Sequence, residues 1–259
     1  KSFILNYKNL IYDVTVQNNS DYTNDYLKYV NDELGLTDYT LDTNALFNQF
    51  YFADSADANN IYLTIVPNLR KNKTVVTRSN YLSNSLKEKI RSEIEDYKLL
   101  NSEIAFVDPV YLNLDLSLSF SGEKNKTSYK DNTELQISRN ARSLINEEDL
   151  KTKVFNTITS YVDSIKLGGL IDVRYLNNEL EKIVGIEKIE TVRTDVEGSG
   201  VPGVNLCIFN PIYNGRDIKG IDTRCQLKPY QIPYIENSTL FKNKIKVTSS
   251  RTNKRVVEY

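Results

Sequence analysis

The sequence predicts an α+β fold, in which a mixed helix-strand-helix-helix-strand core is flanked by β-rich regions. Two observations predict it: apolar residues recur at helical spacing in three segments, and they alternate with polar residues in several others. The composition of 40% apolar and 26% charged residues over 259 positions is typical of a chain that buries a core. We divide the chain into a β-rich region with a hairpin (1–78), an α/β core (79–195) and an irregular β-rich C-terminal extension (196–259).

The first region is interpreted as strands separated by polar loops. A short helix is predicted at Asp25–Leu34, ended by Gly35. The runs Phe47–Phe52 and Ile61–Val66 are rich in aromatic and β-branched residues, which predicts a hairpin with a long loop. Before them, four apolar residues alternate with polar ones and predict the buried face of a strand: Leu10, Tyr12, Val14 and Val16.

The core opens with a helix predicted at Tyr81–Leu100, with capping-box spacing from Ser85 to Glu88. Its apolar stripe consists of Leu82, Leu86, Ile90, Ile94 and Tyr97. The next strand places one set of alternating residues on a buried face: Val110, Leu112, Leu114, Leu116, Leu118 and Phe120. The other set is expected to face solvent: Tyr111, Asn113, Asp115, Ser117 and Ser119.

A lysine-rich loop is predicted at Gly122–Asn132, and Leu135 and Ile137 predict a further strand. Asn146 is expected to cap a helix that ends before Gly168 and Gly169. Its predicted apolar face comprises Leu150, Val154, Ile158, Tyr161 and Ile165. Asp172 then begins a shorter helix with apolar residues Leu176, Leu180 and Ile183, Gly185 ends it, and Ile186–Arg193 returns as a strand.

In the extension, short β-prone runs such as Val204–Phe209 alternate with glycine, proline and asparagine. The last eighteen residues carry six basic side chains: Lys242, Lys244, Lys246, Arg251, Lys254 and Arg255. This pattern is typical of a solvated tail, and if the tail binds anything we expect an acidic protein surface, because it lacks the interleaved aromatic residues that stack on bases.

Composition argues against most enzyme classes. The chain has no histidine, the usual general base of hydrolases and the commonest metal ligand. Cys207 and Cys225 are too few for a disulfide framework and are expected to be reduced. We therefore predict that the chain is not an enzyme and has no catalytic, cofactor-binding or metal-binding residues.

Three local patterns have ordinary structural explanations. Gly198–Gly203 matches G-x-G-x-x-G, but Pro202 and the β-prone run that follows favour a plain turn over a dinucleotide site. Asp54, Asp57 and Asn59 lack the spacing of a calcium loop. The acidic clusters Glu147–Asp149 and Glu93–Asp96 are explained by helix termini and solvent-facing positions.

Charge and hydropathy limit the partners. With a net charge of −1, the chain offers no overall field to attract nucleic acid. No apolar run is long enough for a membrane span, and no secretory segment is recognised, so we expect a protein made in a cytoplasm. No small-molecule substrate is predicted. The first residue, Lys1, and the absence of methionine indicate a fragment.

The order of elements from Ser79 to Asp195 resembles the baseplate J-like family of contractile phage tails. In that family a proline precedes an alternating strand, a glycine follows the penultimate helix, and a Val-Gly-(Val/Ile) turn leads into the last strand. Pro109, Gly168 and Val184-Gly185-Ile186 stand at those places. The resemblance covers less than half of the chain, and its motifs are structural.

The resemblance implies a structural protein of the virion tail baseplate, assembled in the host cytoplasm. It implies a homodimer that contacts other baseplate wedge proteins, joins neighbouring wedges into a ring and moves with sheath contraction. From the residues themselves, exposed strand edges and aromatic patches favour self-association through Val196–Tyr259 or the hairpin Phe47–Val66.

Two alternatives remain open. The first is a receptor- or glycan-binding module whose recognition surface uses tyrosines such as Tyr111 and Tyr129. The second is a histidine-free glycosidase that uses two carboxylates at a defined separation.

Overall fold

The computed structural model describes residues 10–18, 21, 60–68, 81–97, 102–118, 132–140, 143–210, 216–221 and 223–249. Within these residues, four α-helices and thirteen strands form several mixed sheets, which confirms the α+β class. The predicted helix Asp25–Leu34 and strand Phe47–Phe52 lie outside them, as does nearly all of the predicted loop Gly122–Asn132.

The chain forms two compact units, each built from separate stretches. The first comprises Lys1–Leu112, Ile165–Leu170 and Gln226–Pro233. The second comprises Asn113–Ser164, Ile171–Cys225 and Tyr234–Tyr259. The division into 1–78, 79–195 and 196–259 uses continuous regions instead and stays a prediction.

A three-stranded sheet forms the core of the first unit. Strand β2 (Ile61–Pro67) pairs antiparallel with β1 (Ile11–Asn18) and parallel with β3 (Ile104–Val107). Helix α1 (Asn84–Ile94) packs against this sheet through Ile90, which is fully buried. The other buried members of the cluster are Ile11, Val14, Leu63, Ile65, Leu82 and Ile104.

The strand β1 is confirmed, but its predicted buried face is right only at Val14, which is fully buried. Leu10 and Val16 are about half exposed, whereas Ile11 and Gln17, from the opposite set, are buried. The pairing with β2 shifts register between Ile11 and Asp13, and a bulge of this kind breaks the two-residue alternation on which the prediction relied.

Helix α1 begins later and ends earlier than the predicted Tyr81–Leu100. Its N-cap is Ser83, whose hydroxyl accepts a hydrogen bond from the Leu86 N–H, so the capping box expected at Ser85 does not form. The chain tightens into a 3₁₀ turn at Glu95–Tyr97, where Tyr97 is 77% exposed instead of continuing the apolar stripe.

Strand β4 (Val110–Leu116) begins directly after Pro109 and lies in a four-stranded sheet. The order in this sheet is β10 (Arg216–Ile221), β9 (Leu206–Asn210), β4 and β12 (Gln231–Tyr234). The expectation that one face of β4 meets solvent is wrong, since Tyr111 and Asn113 are buried as well as the leucines.

A second four-stranded sheet forms the centre of the second unit, in the order β13, β5, β7, β8. Its strands are β5 (Thr133–Arg139), β7 (Ile186–Arg193), β8 (Val201–Pro202) and β13 (Ile245–Ser249). The description of the extension as irregular is wrong here, because β13 pairs in parallel with β5 over five residues. Two short strands, β6 (Leu170–Asp172) and β11 (Arg224–Gln226), pair separately.

The helices of the second unit follow local sequence signals. Helix α2 (Glu147–Ser164) starts where Asn146 Oδ1 accepts a hydrogen bond from Asp149 N–H at 2.7 Å. Asp172 caps α3 (Val173–Glu181), and Asn237 caps the short α4 (Ser238–Asn243). The buried face of α2 consists of Leu150, Val154, Ile158 and Val162.

Tyr161 departs from its predicted core position on α2. Its hydroxyl accepts a hydrogen bond from Asp172 N–H at 2.6 Å and lies 3.0 Å from Asp172 O, which accepts its proton. Burial raises the pKa of Tyr161 above its ordinary value, which keeps this hydroxyl protonated and able to donate. The residue therefore ties α2 to the backbone at the start of α3.

Candidate functional site

The glycine-rich motif Gly198–Gly203 begins in the turn that follows β7 and includes the short strand β8. Gly198 and Gly203 have φ angles of 74° and 83°, and Val201–Pro202 pairs antiparallel with β7. No helix begins at this turn, so its N–H groups lack the arrangement that binds a pyrophosphate.

The acidic clusters lie at helix termini. Glu147, Glu148 and Asp149 form the first turn of α2, and Lys242 Nζ is 3.0 Å from Glu148. A hydrogen bond from Lys242 lowers the pKa of Glu148. Glu95 and Asp96 are exposed in the turn after α1. The first-turn position of Glu147–Asp149 agrees with the favourable helix-dipole interaction expected from sequence, and Glu95 and Asp96 face solvent, as expected.

Both cysteines are free and buried. Cys207 Sγ lies 3.9 Å from the carbonyl oxygen of Ser117. Among the residues that the structure describes, no group of three His, Cys, Asp or Glu side chains could hold a metal ion. None of the helices in the same ranges is both long and apolar enough to cross a membrane.

Tyr111 does not form the recognition surface considered for a glycan-binding module. Its side chain is 5% exposed and packs edge-on against Tyr81, with ring centroids 5.6 Å apart. Burial raises the pKa of Tyr81, and the nearby Asp108 carboxylate raises it further. The other tyrosine considered, Tyr129, lies outside the described residues, as do the Asp54, Asp57 and Asn59 of the calcium-like pattern.

A polar cavity of about 330 Å³ lies in the second unit, where β4 and β5 meet the α4 segment. At its wall, Lys244 Nζ donates to both carboxylate oxygens of Asp115, each at 2.7 Å. Both side chains are 16% exposed, so this bidentate pair is largely removed from solvent.

A second polar contact lines the same cavity. Asn113 Nδ2 donates to Glu236 Oε2 at 3.1 Å, and Glu236 N–H donates back to Asn113 Oδ1 at 3.0 Å. Leu240 borders the cavity and is 59% exposed. The remaining lining residues are Leu114, Thr133, Glu134, Ile235, Asn237, Phe241 and Asn243.

Sequence reasoning missed this cavity because its partners are far apart in the chain. Asp115 and Lys244 are separated by 129 positions, and no local pattern joins them. The available signal was chemical: Asp115 lies between leucines on a strand, and a carboxylate in such a place requires a partner.

Strand β13 is an edge strand, since it pairs only with β5 among the described strands. Leu135 N–H donates to Lys244 O at 2.9 Å. This bond determines which residues of β13 direct their backbone N–H and C=O groups towards β5. In a parallel ladder Lys246 and Thr248 then face β5, whereas the N–H and C=O of Val247 point away from it. An outward row of this kind can pair with a strand from another chain.

Comparisons with solved structures found a structural likeness. No protein-family model matches the chain, and no curated protein matches it. Among solved structures, the chain is similar to a chain of "Cryo-EM structure of the anti-feeding prophage (AFP) baseplate, 6-fold symmetrised", at 11% identity and a TM-score of 0.37. The alignment covers 68% of this chain and 29% of that chain, so this chain spans less than a third of that protein's length.

Proposed function

We propose that this chain is a non-catalytic structural subunit of a contractile-tail baseplate, corresponding to the C-terminal part of a wedge subunit of T-even-like phages. In that role it self-associates, binds other baseplate proteins and is located in the virion tail. It joins wedges into the inner ring and moves when the sheath contracts.

The observation that carries the proposal is the placement of the three marker positions of the baseplate J-like pattern. Pro109 directly precedes β4. Gly168 follows α2 with a φ of 64°, and Gly185 joins α3 to β7 with a φ of 101°. Each residue thus occupies the structural position that the resemblance assigns to it, within an α+β chain.

The outer edge of β13 supplies a route to self-association. It belongs to the region 196–259 in which we expect the dimer contact, and its outward backbone groups at Val247 suit an antiparallel copy of the same strand. Removal of the whole region would also remove β13 from the central sheet, so a point substitution is the sharper test.

The test is sedimentation of the full chain over a concentration series, from about 1 to about 100 μM, which brackets weak to moderate affinities. We expect a dimer that forms with rising concentration. Val247→Pro removes an N–H that does not bond β5 and should weaken the dimer, whereas Val247→Ala keeps that N–H and should preserve it.

A chain that stays monomeric over the whole range would overturn self-association. A dimer that withstands Val247→Pro would retain the structural role but place the contact elsewhere. Binding of defined oligosaccharides on a glycan array by a monomeric chain would favour the receptor-binding alternative instead.

A further inference from the structure

We propose that the cavity between β4, β5 and α4 is a recognition site for a lysine or arginine side chain presented by another protein. The proposal does not depend on the baseplate role, because it rests on the walls of this cavity alone. It goes beyond self-association by assigning a chemical class to the group that binds.

The charges around the cavity are unequal. Among the described residues, its lining contains three carboxylates, from Asp115, Glu134 and Glu236, and one ammonium, from Lys244. Because Asp115 holds Lys244 through both oxygens, this ammonium is already neutralised. The two other carboxylates therefore give the described lining residues a formal excess of two negative charges.

These two carboxylates are compensated to different degrees. Glu134 Oε1 lies 3.7 Å from Lys246 Nζ, a long contact with a side chain that is 48% exposed. Glu236 forms no ion pair with the described residues, and its side chain accepts from the neutral amide of Asn113. A carboxylate retains several lone-pair sites after one such bond, so Glu236 can accept further hydrogen bonds from a cation.

The apolar part of the lining suits the stem of a long cationic side chain. Leu240 is 59% exposed at the cavity, while Leu114 and Phe241 are buried behind it. Lysine and arginine place methylene groups on apolar surface while the charged group stays at a polar site. A cavity of about 330 Å³ that combines an exposed leucine with an uncompensated carboxylate fits such a side chain.

The ligand probe is N-acetyl-L-arginine N-methylamide, with the isosteric but neutral citrulline compound as its control. Titration into the full chain is followed by methyl NMR of Leu240 and Leu114. We expect the arginine probe to shift these methyl resonances saturably at millimolar concentration, which is typical of a small ligand in a partly open site. The citrulline compound should bind roughly tenfold more weakly. Added salt should weaken the arginine complex.

Glu236→Gln tests the assigned carboxylate, because glutamine keeps an oxygen that can accept from Asn113. It should weaken the arginine probe roughly tenfold. Glu187→Gln removes an exposed carboxylate of β7 in the same unit, outside the cavity lining, and should leave binding unchanged. A dispersed NMR spectrum of each variant shows that it is folded.

Three outcomes would overturn the assignment. Equal shifts from arginine and citrulline would show that charge is not recognised. Unchanged binding in Glu236→Gln would remove the proposed acceptor. Shifts of the same methyl groups produced by calcium chloride, with none from the arginine probe, would make this a metal site instead.

Discussion

Replacement of glycines by alanine in the second unit tests whether the turn before β7 requires glycine. At Gly185 the φ of 101° is a conformation that L-residues rarely adopt, and a Cβ would lie 2.7 Å from Ser143 Oγ. The backbone strain costs about 1–2 kcal/mol, and displacement of the hydroxyl costs roughly a further 1 kcal/mol. We expect Gly185→Ala to lower the free energy of unfolding by about 2–3 kcal/mol in urea titration.

Two glycines at the other end of β7 separate the cost of backbone strain from the cost of the steric contact. Gly198 has a φ of 74° and no atom within 4 Å of an added Cβ, so Gly198→Ala should show backbone strain alone, about 1 kcal/mol. Gly200 has neither a left-handed φ nor a close contact. Gly200→Ala should stay within about 0.5 kcal/mol of the parent, because it also reduces the freedom of the unfolded chain.

A second substitution tests the contact between the added Cβ at position 185 and Ser143. Ser143→Ala removes the atom nearest the added Cβ, so the double substitution with Gly185→Ala should recover roughly 1 kcal/mol relative to additive losses. The reasoning is refuted if Gly198→Ala and Gly200→Ala are equally stable. It also fails if Gly185→Ala costs no more than Gly198→Ala.

Two further predictions concern the helices of the second unit. Ile158 is fully buried on α2, so Ile158→Ala should lower the free energy of unfolding by about 3 kcal/mol and Ile158→Val by about 1 kcal/mol. A loss below about 1 kcal/mol for the alanine variant would contradict the packing described. A hydrogen bond from the N–H of Tyr175 and, secondarily, the Arg224 side chain lower the pKa of Asp172 in the folded protein. The ionised carboxylate therefore stabilises the fold fully above the ordinary aspartate pKa of about 3.9, and this stabilisation is lost as the pH falls through the lower pKa of the folded state. The stability advantage over Asp172→Asn should therefore shrink below about pH 4, and an advantage that is the same at pH 3 and pH 7 would show that the carboxylate is not responsible.

The sequence predicts best the elements whose boundaries have local causes. Asn146 and Asp172 each cap the helix assigned to them, because a side-chain oxygen two or three residues before a free N–H is enough to start a helix. Strand β7 has the predicted bounds Ile186–Arg193, since a glycine turn fixes its start. These features depend on contacts within a few residues.

The features that escaped prediction depend on contacts across the chain. The burial of Asn113 on β4 follows from neighbours that the local alternation does not encode. The buried face of β1 differs from the prediction because the register shift in its pairing depends on the partner strand β2. The cavity likewise needs Asp115 beside Lys244, and only the presence of a carboxylate in an apolar strand hinted at it.

The parallel pairing of β13 with β5 also constrains when this protein folds. Thr248 Oγ1 contacts Ile137 O across 111 positions of sequence, and β13 lies at one edge of the sheet that organises the second unit. During synthesis, β5 therefore lacks that neighbour until residues 245–249 have left the ribosome, which exposes its edge to other nascent chains. This sheet is therefore completed only after the 111 positions between Ile137 and Thr248 have been synthesised, and the edge of β5 stays open during that interval.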